Sequence, residues 1–294
     1  RGENHSVRRR MQDPTACPYF TVCASDKGLC VVDPVIIPSC IWAAILGVVF
    51  FWRIRRSNLP NKHVYSVPFL MYTFMMSDAM LVHIWAPVRG HQEWLSPELF
   101  AFISWFDVSM TSSIAVAFFW AAFVDMGWMS DKGSASGLIR VLSYVVVFVV
   151  WALGIAFQWE DVFAIMYMGV VFVGCGFFCV VQLVWIWRHS NSRAGLGWLL
   201  VGGLSGLAGL VGMVAFSKDL CNFHNNIFSS TDAWFYLSDV AMVCIGNYYL
   251  SSRKAQVDQR EEDQHPLLLI NSSKYSHSHK YVSAGQRTPG SVMF

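Results

Sequence analysis

The sequence predicts an all-α fold: a bundle of seven transmembrane helices, with the N-terminus outside or luminal and the C-terminus cytosolic. Three observations lead there. Apolar runs of membrane-spanning length recur along the chain, and only helices or closed barrels can satisfy their backbone groups in lipid. The 294 residues are 55% hydrophobic and 14% charged, a balance tilted away from a soluble domain. Lysines and arginines gather at alternate ends of the apolar runs, and that asymmetry sets the orientation.

Taken in order, residues 1–34 read as a polar extracellular or luminal tail. It carries Cys17, Cys23 and Cys30, and Asn4-His5-Ser6 matches a glycosylation acceptor. The spans follow at about 35–52, 66–88, 99–123, 138–157, 162–187, 196–216 and 234–250. Residues 35–251 thus form the membrane domain, and 252–294 a polar cytosolic tail without expected structure. One side of the membrane collects Arg53, Arg55, Arg56, Lys62, Lys132, Arg140, Arg188, Arg193, Arg253, Lys254 and Arg260. The other collects Lys27, Arg89 and Lys218, so the first side is cytosolic. A net charge of +2, without a basic patch of interleaved aromatics, argues against a nucleic-acid partner.

This topology puts Cys17, Cys23, Cys30 and Cys221 on the oxidising side. Four cysteines permit two disulfides in three pairings, while free or locally paired thiols fit equally well. Cys40, Cys175, Cys179 and Cys244 fall within spans and read as packing residues. In the sixth span Gly202 and Gly206 are four apart, as are Ser205 and Gly209, a spacing that lets helix backbones approach closely.

Ionisable groups at membrane depth are costly and usually face a bundle interior. His83 near the end of span two, Asp107 in span three and Asp232 at the start of span seven fall at similar depth. Asp232, Tyr236 and Asp239 share one side of helix seven, and Ser104, Asp107 and Thr111 share a face of helix three. Asp78, five residues from His83, is expected to turn away from it. Imidazole and carboxylates in one pocket can hold Zn²⁺ with a water, or act as a general base and its orienting partner. The plainer reading is an interhelical hydrogen-bond network, with Asp232 near a helix N-terminus.

The stretch MYTFMMSDAMLVHIWAPVRG, with Tyr72, Phe74 and His83, and the stretch LFAFISWFDVSM, with Asp107, resemble the CREST superfamily of seven-helix membrane hydrolases. The transmembrane protein 8 and myomaker group looks closest, and the likeness spans most of residues 35–251. The resemblance implies a lipid hydrolase scaffold whose Zn²⁺ is held by one histidine of helix two and two of helix seven. Here the helix-seven positions hold Asp232 and Tyr236, and the family serine falls on Ala79. One imidazole with carboxylates is a weaker Zn²⁺ set than three imidazoles. The expectation is therefore no resident cofactor, with catalytic roles for His83 and Asp107, metal ligation by His83 and Asp232, and Zn²⁺ itself as the alternative.

In the tail, Asp263 followed by Leu267 and Leu268 resembles an acidic dileucine signal, read by clathrin adaptor proteins. This implies an endosomal or lysosomal membrane, with the plasma membrane as alternative. The expected function is a non-catalytic membrane protein that binds lipid or acts as a receptor or adaptor component. Its alternatives are a metal-dependent lipid amide or ester hydrolase and a seven-helix signalling receptor. Against the receptor, Val124-Asp125-Met126 stands where Asp-Arg-Tyr would, and Gly246-Asn247-Tyr248 where Asn-Pro-x-x-Tyr would.

Overall fold

Helices dominate the computed structural model, which describes residues 21–23, 30–32, 34–85, 97–157, 159, 162, 164–188, 190–215 and 230–280. α1 spans Ile36–Arg56, α2 Lys62–Trp85, α3 Pro97–Asp125 and α4 Ser134–Ala156. α5 spans Val173–Arg188 and is entered through a π-helical segment, Ala164–Phe172. α6 spans Leu196–Ala215 behind a 3-10 turn, Ser190–Gly195, and α7 spans Ser230–Lys280. Five of these helices, α1, α3, α4, α5 and α6, are long and apolar enough to cross a membrane. The other two carry polar residues that turn inward: Ser66 on α2, and Asp232 and Asp239 on α7, are all buried.

Much of the outside of the bundle is apolar. Only 17% of the apolar window of α4 is buried, and Leu138, Val141, Val145, Val146 and Leu153 stand exposed along it. Water would penalise such a face at roughly 25 cal/mol per Å², whereas lipid would not. The protein is a multi-pass membrane protein on this ground.

Inside, α1, α2, α3, α5 and α7 share one core around Phe50, Phe69, Phe118, Phe178, Tyr248 and Tyr249. α4 lies at the edge, and indole N–H groups tie it to α3. Trp105 donates to the Phe148 carbonyl at 3.1 Å, Trp120 to Ser143 at 2.8 Å, and Trp151 to Ser112 at 3.0 Å. In an apolar medium such donors need a partner, so these tryptophans join helices instead of anchoring at the interface.

Three features differ from the sequence expectation. A short antiparallel hairpin, β1 Thr21–Cys23 with β2 Cys30–Val32, lies in the N-terminal segment beside α2. α7 does not stop near residue 250 but continues to Lys280. Its continuation, SSRKAQVDQREEDQ, is rich in strong helix formers, so propensity carries the helix on. Arg253, counted above as a cytosolic loop charge, is only 2% exposed.

Glycines set the closest approaches. Gly202, Gly206 and Gly209 of α6 lie against Cys244, Ala241 and Leu237 of α7, the close approach that the small-residue spacing of this helix predicts. Gly246 of α7 faces the Phe50 ring, and a Cβ there would lie 2.4 Å from Phe50 Cδ1. Gly246→Val should therefore destabilise the α1–α7 contact by about 1–3 kcal/mol. Gly176→Val, where a Cβ meets nothing within 4 Å, should cost far less. Thermal unfolding of the purified variants compares the two, and equal midpoints would contradict this packing.

Candidate functional site

Two buried polar clusters hang on α7. The first forms where α3 ends. Gly127, with φ of 77°, closes α3: its N–H reaches the Val124 carbonyl, and the Trp128 N–H reaches the Phe123 carbonyl, both at 3.0 Å. The Phe123 and Trp128 rings meet edge-on at 4.9 Å, the apolar contact that accompanies this type of helix end. The stop leaves Asp125 as the last residue of α3, with its side chain inside the bundle.

Arg253 Nη2 of α7 lies 2.6 Å from Asp125 Oδ2, and the two side chains are 2% and 0% exposed. Five other groups complete the cluster. Asn61 Nδ2 and Gln182 Nε2 each donate to Asp125 at 2.8 Å, and the Tyr65 hydroxyl also donates to it. Tyr248 donates to Gln182 Oε1 at 2.6 Å. The Arg253 guanidinium lies over the Trp185 ring, 3.8 Å from its centroid. Asn61 adopts a left-handed backbone, φ 60°, a conformation asparagine tolerates well, and it does so just before α2 begins. The cluster thus draws on the α1–α2 turn, α2, α3, α5 and α7.

Beside it, Asp131 of the α3–α4 connection caps the start of α2, accepting from the Val64 N–H at 2.8 Å and the His63 N–H at 3.4 Å. Arg55 donates to Nδ1 of His63, so that ring is held neutral. Burial, and then the nearby cations Arg55, Lys132 and Lys62, push the His63 pKa down from 6.5, against an upward pull from Asp131.

The second cluster is built on Asp239. Its Oδ2 accepts from Ser39 of α1 at 2.5 Å, and its Oδ1 from Tyr72 of α2 at 2.5 Å. Ser238 lies 3.1 Å from the Tyr72 hydroxyl. Tyr236, one turn away on the same side of α7, donates to the Val35 carbonyl at 2.8 Å. Both residues line a lateral groove of about 630 Å³ between α1, α6 and α7. Pro38, Trp42, Trp198, Val201, Val240 and Val243 form its apolar walls. The polar groups sit towards the first turns of α7, and the apolar walls continue towards its middle.

The sequence-derived site residues therefore divide between helix junctions. Asp232 is buried at the start of α7, where a carboxylate suits the helix N-terminus. Thr111 of α3 donates to the Asp107 carbonyl, and its hydroxyl also lies 3.1 Å from Met75 Sδ of α2. Ser104 sits half-buried on α3. Asp78 is near enough to Asp107 for their charges to interact, while its relation to the His83 side chain lies outside the described residues. Asp78 Oδ2 and Asp107 Oδ1 are both buried without a hydrogen-bond partner among the described residues. His83 lies on α2, and its side chain is outside the described residues, as are those of Asp263, Leu267 and Leu268 on α7. Cys17 and Cys221 lie outside them as well, while Cys23 and Cys30 are register partners across the hairpin.

Of the residues expected to hold Zn²⁺, the His83 side chain lies outside the described residues. Tyr236 donates its hydroxyl to the Val35 carbonyl just before α1. No three His, Cys, Asp or Glu side chains converge as a metal group among the described residues. The chain matches no protein-family profile, no curated protein and no solved structure.

Sequence reasoning placed Tyr236 and Asp239 on one face but missed Ser39 and Tyr72 as the carboxyl's partners. It also missed the Asp125–Arg253 cluster. The available signal was the stripe Ile245, Tyr248, Tyr249, Ser252 and Arg253, which continues the inward face of α7 past the end of its apolar run.

Arg253→Ala or Asp125→Ala should each cost about 3–5 kcal/mol, because a buried charge loses its counter-charge. The double change Asp125→Leu with Arg253→Met should recover much of that loss. Unfolding midpoints in detergent test this, and a double variant worse than both singles would contradict it. For His63 the fold favours the neutral ring, so the unfolded chain binds its proton first. Stability is then lost as pH falls from 6.5 towards the lowered native value, and is fully present above 6.5. Between about pH 7.5 and about pH 5.5 the wild type should lose more thermal stability than His63→Gln. Identical slopes would remove His63 as a contributor.

Proposed function

We propose that this chain is a seven-span membrane protein, N-terminus outside or luminal and C-terminus cytosolic, that works without catalysis as a lipid-binding receptor or adaptor component. The groove between α1, α6 and α7 carries this reading. It lies between three helices, its walls are mostly apolar, and its hydroxyl and carboxyl groups, Ser39, Tyr236 and Asp239, are few against them. Its volume falls within the roughly 300–1,000 Å³ usual for small-ligand sites.

The carboxyl at the groove supports a binding role over a hydrolytic one. Asp239 is engaged by Ser39 and Tyr72, which fixes its position between three helices. A metal-dependent hydrolase would need imidazoles where Asp232 and Tyr236 stand. The likeness to the CREST scaffold is part of the proposal, as are a glycan at Asn4, disulfides among Cys17, Cys23, Cys30 and Cys221, and delivery to endosomal or lysosomal membranes through Asp263, Leu267 and Leu268. Clathrin adaptors are the partners that signal implies.

Lipid extracted from the purified protein provides the test. The wild type should retain one lipid class through detergent washing, and Val240→Trp, which fills the groove from its exposed wall, should retain several-fold less. Equal retention by both would remove the groove from the proposal. Metal-stimulated release of a fatty acid from an ester or amide lipid, lost in a His83→Ala variant, would replace it with the hydrolase.

A further inference from the structure

The groove also indicates what kind of head group it takes. Asp239 is 6% exposed, and both its hydrogen bonds come from the packed side, from the hydroxyls of Ser39 and Tyr72. Hydroxyls orient a carboxylate without neutralising it, and each carboxylate oxygen keeps a further lone pair for another donor. The remaining face of Asp239 lines the groove. Trp42 and Tyr236 line the same groove, and the faces of aromatic rings attract cations.

We infer that the groove binds a cationic single-chain amphiphile, a protonated alkylamine, with its ammonium on Asp239 and its chain along Trp42, Val201, Val240 and Val243. This rests on the reading of the groove as a lipid site. The chemistry is complementary at both ends. An ammonium supplies three donors and the missing positive charge, and its charge-assisted hydrogen bond to a carboxylate is strongest where water is excluded. The chain follows the direction in which the walls lose their polar groups, towards the middle of α7. A fatty acid of equal length would set two carboxylates against each other, and a fatty alcohol would leave the charge of Asp239 uncompensated.

The full-length protein in phosphatidylcholine nanodiscs, titrated calorimetrically with tetradecylamine and with tetradecanol against empty nanodiscs, distinguishes these cases. The amine should bind the wild type about tenfold more tightly than the alcohol. Asp239→Asn keeps the side-chain shape, with its Oδ1 still accepting from one hydroxyl and its Nδ2 donating to the other, and should bring that ratio close to one. Val240→Trp leaves the carboxyl cluster in place and should abolish saturable binding of both. Equal affinities for the two probes, lost together in Val240→Trp, would overturn the cationic ligand while leaving the lipid groove standing. Binding that survives Val240→Trp, or no saturable binding of either probe by the wild type, would overturn both.

Discussion

One ion pair governs how this bundle closes. Asp125 ends α3, Arg253 projects from α7, and their contact is sealed by Tyr65, Gln182, Asn61 and Trp185. Neither charge could remain buried alone, because moving an isolated ion from water into a low-dielectric interior costs several kcal/mol. The pair therefore obliges α3 and α7 to meet at one height. The helix end at Gly127 keeps α3 from running past that height, and the cap from Asp131 joins the following connection to the start of α2. Elements remote in sequence are thus brought to one point by charge, while the apolar faces elsewhere discriminate much less between one neighbour and another.

The carboxyl of Asp239 plays a milder version of the same part. Ser39 and Tyr72 reach it from two helices, so α1, α2 and α7 are registered against one another near their polar ends. Below it the small residues of α6 let that helix lie close to α7, and Gly246 lets α1 do the same. The groove is what remains where α1 and α6 both touch α7 but do not fill the space between them.

How much of this could be read from residues alone follows from the kind of signal each feature leaves. Hydrophobic runs are long and local, so the helical class and the five apolar helices α1, α3, α4, α5 and α6 were legible with approximate bounds. So was the shared face of Tyr236 and Asp239, since helical spacing is enough to place them. Partners across helices leave no local trace: nothing near Asp239 in sequence points to Ser39, two hundred positions away. Arg253 was misleading for a specific reason. An arginine just past an apolar run is what the cytosolic charge bias produces, and the same residue serves a buried pair equally well. Asp78 was set aside because its offset from His83 was measured around one helix, whereas its neighbour Asp107 belongs to another. The continuation of α7 was hidden by polarity, which suggests an unstructured tail but does not forbid a helix.

α7 runs unbroken over 51 residues, a rod of roughly 75 Å at the usual rise per residue. Asp239 and Arg253 are fourteen positions apart on it, close to four full turns, so they project from nearly the same flank. Pro266 lies within the helix and removes one backbone donor, so the rod bends most readily there, while the stretch that carries Asp239 and Arg253 is its stiff part.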